Sequence, residues 1–218
     1  YTVTSVSYNQ TAGVAFTVTV NACDSLGNTV TTDNSTSVTM TSSSATMLFD
    51  GNGNGTFGEV GDNAVVVSSG TFNISARDNT AGTGVTITAT DGSSMTGTSS
   101  PYAISTAAIS YYTVTSVSYS QSAGIPFTLT VTAYDSFGNV VSTDSATSVT
   151  MTSSSGTMLF DANGDGTYGD ASQTLTNGTF NITARDTTAA TGVTITATGS
   201  SATGISSAYT IAAGPLHH

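Results

Sequence analysis

The chain has 218 residues and a formal net charge of -11, from thirteen acids against two bases, Arg77 and Arg185. That balance repels phosphate backbones and anionic membranes and favours cations, so a nucleic-acid partner is not expected, and no apolar run approaches the roughly 18 residues of a membrane span. Charged residues are only 7 % while Ser and Thr make up roughly a third, yet Val, Ile, Phe and Tyr recur regularly, as in folded β structure with a hydroxyl-rich surface.

In chain order, a strand is predicted over 2–7, and another over Ala15-Phe16-Thr17-Val18-Thr19-Val20-Asn21-Ala22, where Phe16, Val18, Val20 and Ala22 fall on one face. Turn signals follow at Ser25-Leu26-Gly27-Asn28 and Asp33-Asn34-Ser35, with strands predicted between and after them at 29–32 and 37–42. Beyond a long Gly- and Asn-rich loop come strands at 64–68, at Thr71–Ala76, at Val85–Ala89 and at 101–105, with Ala81-Gly82-Thr83-Gly84 read as a turn. From Tyr112 the pattern starts again: YTVTSVSYNQTAG at Tyr1 becomes YTVTSVSYSQSAG, and Phe127, Leu129, Val131 and Ala133 repeat the inward set. The second copy lacks a few residues after the loop, around Val60 to Ser69, which places that segment on the surface. Seven or more short strands in each half predict an all-β chain of two tandem Ig-like antiparallel β-sandwiches. The expected boundaries are 1–105 for the first repeat, 106–111 for a short linker without Pro or Gly that favours a stiff rod, 112–213 for the second repeat, and 214–218 for a purification-tag remnant holding both histidines. With no signal peptide ahead of Tyr1, the chain is read as an excised piece of a longer one.

The loop carries the strongest chemical signal. Asp50, Asn52 and Asn54 alternate, Gly55 follows, and Glu59 stands at the tenth position; the second copy has Asp161, Asn163, Asp165, Gly166 and Asp170. Alternating oxygen ligands on a loop that a glycine turns sharply is how a chain wraps a hard cation, so Ca²⁺ is the expected cofactor, with the Thr56 and Thr167 main-chain carbonyls as further ligands. The bidentate twelfth-position Glu of a complete EF-hand is missing, since Gly61 and Ser172 stand there, and Glu59 and Asp170 are assigned the closing role. The second loop counts three carboxylates against two in the first, unless Asp62 contributes, which predicts tighter binding in the second repeat.

The strand-end motif Ala22-Cys23-Asp24-Ser25-Leu26-Gly27-Asn28, its second copy Ala133-Tyr134-Asp135-Ser136-Phe137-Gly138-Asn139, and the Thr-rich terminal strand GVTITATD resemble the bacterial Ig-like domains repeated in invasin- and intimin-type surface adhesins. That resemblance implies an Ig-like sandwich, an extracellular or cell-surface setting, a stalk or adhesive role toward a host, neighbouring-cell or glycan ligand, further repeats in the parent chain, and no catalysis. The acidic loop lies outside that family's general pattern and is similar to EF-hand and dockerin loops.

Catalytic constellations have little support: both histidines lie in the tag-like end, Cys23 is single, and the acids sit in turns. Arg77 and Arg185, each followed by Asp, are expected to pair with a nearby carboxylate such as Asp78 or Asp24. The alternative to a spacer is a carbohydrate-binding module of a secreted polysaccharide-active enzyme, with Tyr8 and Tyr119 exposed as a stacking platform and Tyr111 or Tyr112 beside it.

Overall fold

The computed structural model describes residues 1–214, so the end read as a tag, Pro215 to His218, lies outside the described residues. The chain divides into two compact units, Tyr1–Ala107 and a second that starts at Ala108. The first holds β1 (Thr2–Thr4), β2 (Asn9–Thr11), β3 (Phe16–Asn21), β4 (Ser37–Ser42), β5 (Met47–Asp50), β6 (Ala64–Val66), β7 (Thr71–Asp78), β8 (Gly82–Val85), β9 (Ile87–Asp91), β10 (Thr96–Thr98) and β11 (Tyr102–Ser105). The second repeats them as β12 (Tyr111–Thr115), β13 (Ser120–Ser122), β14 (Phe127–Tyr134), β15 (Ser148–Ser153), β16 (Met158–Asp161), β17 (Ser172–Thr174), β18 (Thr179–Asp186), β19 (Ala190–Val193), β20 (Ile195–Gly199), β21 (Ala202–Ile205) and β22 (Tyr209–Ala212).

Each unit is an Ig-like β-sandwich. One layer of the first unit has the order β1-β3-β7-β5; the other has β10-β9-β4-β6, extended by the sheet β2-β11-β8. The second unit has β12-β14-β18-β16 opposite β17-β15-β20-β21 and β13-β22-β19. Pairing is antiparallel except where β2 runs parallel to β11 and β13 to β22. Strand alternation builds the core: Val18, Val20, Ile74 and Ala76 from one layer meet Val38, Met40, Ile87 and Ala89 from the other. In the second unit Leu129, Val131, Ile182 and Ala184 meet Val149, Met151, Ile195 and Ala197. Burying a side chain of Leu129's size contributes about 1.5–3 kcal/mol, and the alternation supplies such residues from every long strand.

The outward positions explain the hydroxyl content. Thr39 of β4 registers with Thr90 of β9, which registers with Thr96 of β10, and Thr41, Thr88 and Thr98 form the next row. β-branched side chains suit a pleated surface, so these rows need no charge to hold the sheet.

Several expected elements differ. The stretch 29–32 forms no strand, only an isolated bridge from Thr29 to Cys23. Gly82-Thr83-Gly84, read as a turn, belongs to β8, whose pairing with β11 shifts register between Tyr102 and Ala103, a β-bulge that Gly84 accommodates at φ +78°. Tyr111, placed in the linker, already belongs to β12.

The two long edges of each sandwich are closed differently. At one edge β1 passes so close to β10 that a Cβ on Gly97 would collide with the Tyr1 backbone; Gly204 stands in the same relation to Tyr112. At the other edge are β5 and β6, one from each layer, joined by the acidic loop.

Candidate metal site in the edge loop

The loop begins on the last residue of β5. Asp50 is 6 % exposed, and its Oδ1 accepts the backbone N–H of Gly53 at 2.8 Å and of Asn54 at 3.2 Å, while Oδ2 accepts Gly55 N–H at 3.0 Å. Asn52 Oδ1 accepts Asn54 N–H (2.9 Å) and Asn54 Oδ1 accepts Thr56 N–H (2.7 Å). Gly53 and Gly55 take φ of +73° and +84°, conformations that side chains rarely adopt, so their place in the spacing is a backbone requirement. The second loop repeats this on β16: Asp161 accepts from Gly164 at 2.7 Å and Gly166 at 3.0 Å, Asn163 from Asp165 N–H at 2.9 Å, and Asp165 from Thr167 N–H at 2.6 Å. The Thr167 N–H is the chief reason that the Asp165 carboxyl lies below its ordinary pKa.

The remaining donors and acceptors pair within the loop. Asn54 donates through Nδ2 to Glu59 Oε2 at 2.6 Å, and Asn52 Nδ2 to Asp62 Oδ1 at 2.8 Å and Glu59 Oε2 at 3.3 Å. Asp62 is 3 % exposed, and its Oδ2 accepts Glu59 N–H at 2.9 Å. In the second loop Asp170 Oδ2 accepts Asn163 N–H at 3.0 Å, and Asp170 Oδ1 is buried without a hydrogen-bond partner. A concavity of about 190 Å³ there is lined by Asn163, Asp165, Thr167, Tyr168, Gly169 and Asp170.

Asp170 holds two places of the first loop at once: it follows Gly169 as Glu59 follows Gly58, whose N–H groups donate to Phe160 O and Phe49 O, and it precedes β17 as Asp62 precedes β6. Asn63 O accepts Met40 N–H as Ala171 O accepts Met151 N–H, both at 2.7 Å, so the residues just before β6 and β17 hold equivalent places. The extra residues of the first repeat lie ahead of Asp62, where Val60 is fully exposed. Adding Asp62 to the first loop removes the charge difference behind the expected ranking of the loops: Asp50, Glu59 and Asp62 balance Asp161, Asp165 and Asp170. Counting back from the shared Thr71-Phe72 and Thr179-Phe180, instead of forward from the loop's first Asp, reveals the match in the sequence.

Among the described residues no three His, Cys, Asp or Glu side chains gather into one metal-binding group. The oxygens of each loop are instead divided among carboxylates, amides and main chain, a donor set suited to Ca²⁺. Asp50 Oδ2, Asn52 Oδ1 and Asn54 Oδ1 each accept one N–H and keep a second lone pair. The unpartnered Asp170 Oδ1 is the atom that most fits a cation, because an isolated buried carboxylate oxygen is costly to leave unmatched.

Among the described residues the arginines lie against aromatic rings, not the expected carboxylates. Arg77 lies with its guanidinium carbon 4.7 Å from the ring centre of Phe57, and Arg185 4.2 Å from that of Tyr168, each ring following the Thr assigned a carbonyl ligand. The tyrosine platform also changes. Tyr8 and Tyr119 are half-buried, with their rings 4.9 Å and 4.8 Å from those of the core residues Tyr102 and Tyr209, and Tyr112 is buried. Tyr111 alone of that set is exposed, stacked on Tyr134 at 5.3 Å and 10°. Cys23 is a free, half-buried thiol.

No family model matches the chain, and no curated protein matches it. Among solved structures it is similar to the Yersinia pseudotuberculosis adhesin InvE (19 % identity, TM-score 0.39, 96 % of this chain and 58 % of that one). It is similar to invasin, a bacterial integrin-binding protein (17 %, 0.40, 100 % and 40 %), and to the Escherichia coli adhesin FdeC (18 %, 0.48, 99 % and 64 %). Glycoside hydrolases are also among the similar structures. The chain thus spans between two fifths and two thirds of the length of the three adhesins. Likeness at this level transfers no ligand and no activity, and the fold rests on the strand registers above.

Proposed function

We propose that this chain is a calcium-binding structural or adhesive repeat module, a stalk or spacer of a bacterial cell-surface or secreted protein that acts without catalysis. The observation that carries the metal is the buried, unpartnered Oδ1 of Asp170, a residue that lines the loop's concavity beside Asn163 and Asp165. Asp50, Asn52, Asn54, Glu59 and Asp62 would hold the ion in the first repeat, and Asp161, Asn163, Asp165 and Asp170 in the second, with the Thr56 and Thr167 carbonyls. The ion supplies positive charge to loops that otherwise concentrate three carboxylates each. The surface setting is supported by the resemblance of the strand-end motifs, and the host, cell or glycan ligand belongs to that part of the reading. Calorimetric melting in Ca²⁺ and in EDTA tests the metal: a ligand of the folded state alone raises the melting temperature, whereas identical melting in both rejects calcium.

A glycan-binding module retains one favourable observation, the exposed Tyr111 on its Tyr134 stack. Glycan-array binding abolished by Tyr111→Ala would place this reading first.

A further inference from the structure

The two ends of each acidic loop belong to opposite layers of the sandwich. Asp50 is the last residue of β5, in the layer β1-β3-β7-β5, and Asp62 stands two residues ahead of β6, in the layer β10-β9-β4-β6. Asp161 and Asp170 stand in the same way at β16 and β17. The ends also touch: a Cβ on Gly51 would collide with the Asp62 carbonyl, and Ala162 N–H donates to Asp170 O at 3.2 Å, beside a bridge between Asp161 and Asp170.

β6 and β17 are three-residue strands at the rim of their sheets, paired only to β4 and β15. Edge strands this short have few ladder hydrogen bonds to resist opening. The opposite edge is held by backbone packing across Gly97 and Gly204; here buried Val67 and Leu175 and the bridges Ser68–Thr71 and Thr176–Thr179 fasten the far ends of β6 and β17, and the acidic loop joins their near ends. Without a metal its fastening is mixed. In the first repeat two Asn amides stand between the layers, with Asn52 Nδ2 reaching Asp62 and Asn54 Nδ2 reaching Glu59. In the second repeat Asp170 receives a backbone N–H on one oxygen and nothing on the other.

We infer that the cation acts as a clasp between the two layers, closed by Asp62 in the first repeat and Asp170 in the second, with Glu59 at the outer rim. This rests on the calcium reading above and goes further in naming what the ion holds together. A divalent ion shared by Asp50 and Asp62, or by Asp161 and Asp170, ties β5 to β6 and β16 to β17 across the sandwich. Such a tie does for these cysteine-poor units what a covalent cross-link does elsewhere, and it makes each repeat's resistance to opening dependent on calcium.

The test is hydrogen exchange on the whole chain with and without Ca²⁺, beside calorimetric titration. The clasp predicts that Ca²⁺ slows exchange at Ala64–Val66 and Ser172–Thr174 by about tenfold or more, along with the loops. The isosteric pair Asp62→Asn and Asp170→Asn should abolish that protection in the repeat that carries the change, while Glu59→Gln retains most of it. Calcium uptake with protection confined to 51–61 and 162–169, or Glu59→Gln as damaging as Asp62→Asn, overturns the clasp and leaves a calcium-binding loop. No heat of binding at either site overturns the calcium reading itself.

Discussion

The guanidinium of Arg185 lies 4.2 Å over the ring of Tyr168, and this contact joins the chain's scarce positive charge to one of its two acidic loops. Arg185 Nε is buried without a hydrogen-bond partner, so the charge is partly desolvated and the ring face is its main compensation. A desolvated contact of this type is worth about 2 kcal/mol. Because Leu159 of β16 registers with Arg185 of β18, the contact ties the loop to a central strand.

Replacing Arg185 with Met separates two effects of opposite sign. If the positive charge merely opposes the cation, its removal tightens Ca²⁺ binding. If Arg185 positions Tyr168 and with it the Thr167 carbonyl, binding weakens. The expected outcome of titration calorimetry is weaker binding by about three- to thirtyfold, with loss of the Tyr168 near-ultraviolet dichroism signal.

Much of this architecture was legible in the sequence, and the misses share physical causes. The duplication and the strands β3, β4, β7 and β9 follow from period-two alternation, because each buries one face. β2 and β10 escape it: Asn9-Gln10-Thr11 and Thr96-Gly97-Thr98 have no apolar member to alternate, and their places are set by the partners they meet. β8 looked like a turn because its glycines serve a bulge. The loop's Asp-x-Asn-x-Asn/Asp-Gly spacing was plain, since the same Asx turns that suit a metal also shape the backbone. Asp62 enters the sequence reading only as a conditional extra ligand, because the insertion ahead of it hides its match to Asp170. The Arg–aromatic contacts are not local in sequence: an Asp adjoins each arginine, while its ring lies twenty residues upstream in the first repeat and seventeen in the second, though Phe57 and Tyr168 occupy the same loop position.

Ser206 substitutes for a strand where the ladder breaks. Its Oγ accepts Ile195 N–H at 3.0 Å and donates to Ser207 O at 2.8 Å, while its own N–H reaches Ile195 O at 2.9 Å. Ile195 is fully buried, so Ser206→Ala strands an N–H inside the core. Urea denaturation should show a loss of about 1–3 kcal/mol from the second repeat. Ser99→Ala should do the same in the first, where Ser99 Oγ accepts Ile87 N–H at 3.0 Å.

Gly204 marks the edge closed without the loop. A methyl group there would press into the Tyr112 backbone, which has no flexible side chain to yield. Gly204→Ala should therefore cost about 1–3 kcal/mol by separating β12 from β21. Its unfolding midpoint should fall with or without Ca²⁺, since this edge is independent of the metal.

Tyr209 yields a prediction at high pH. Its ring is packed between Tyr119 and Phe127, and burial raises its phenol to a pKa of about 12, with the nearby Tyr119 adding to the shift. The folded state thus favours the neutral phenol, while the unfolded chain ionises near pH 10. The stabilisation is complete below pH 10 and is lost as pH rises from 10 toward 12, because the unfolded state then binds fewer protons than the folded one. At neutral pH the hydroxyl contributes little, since it is buried with no hydrogen-bond partner among the described residues. Tyr209→Phe should therefore leave the second repeat as stable or slightly more stable at pH 7, and should flatten its decline between pH 10 and 12 in urea melts. A decline of unchanged steepness would assign the second repeat's alkaline transition to another tyrosine, of which Tyr112, its phenol also raised by burial and by the nearby Asp144, is the first to replace.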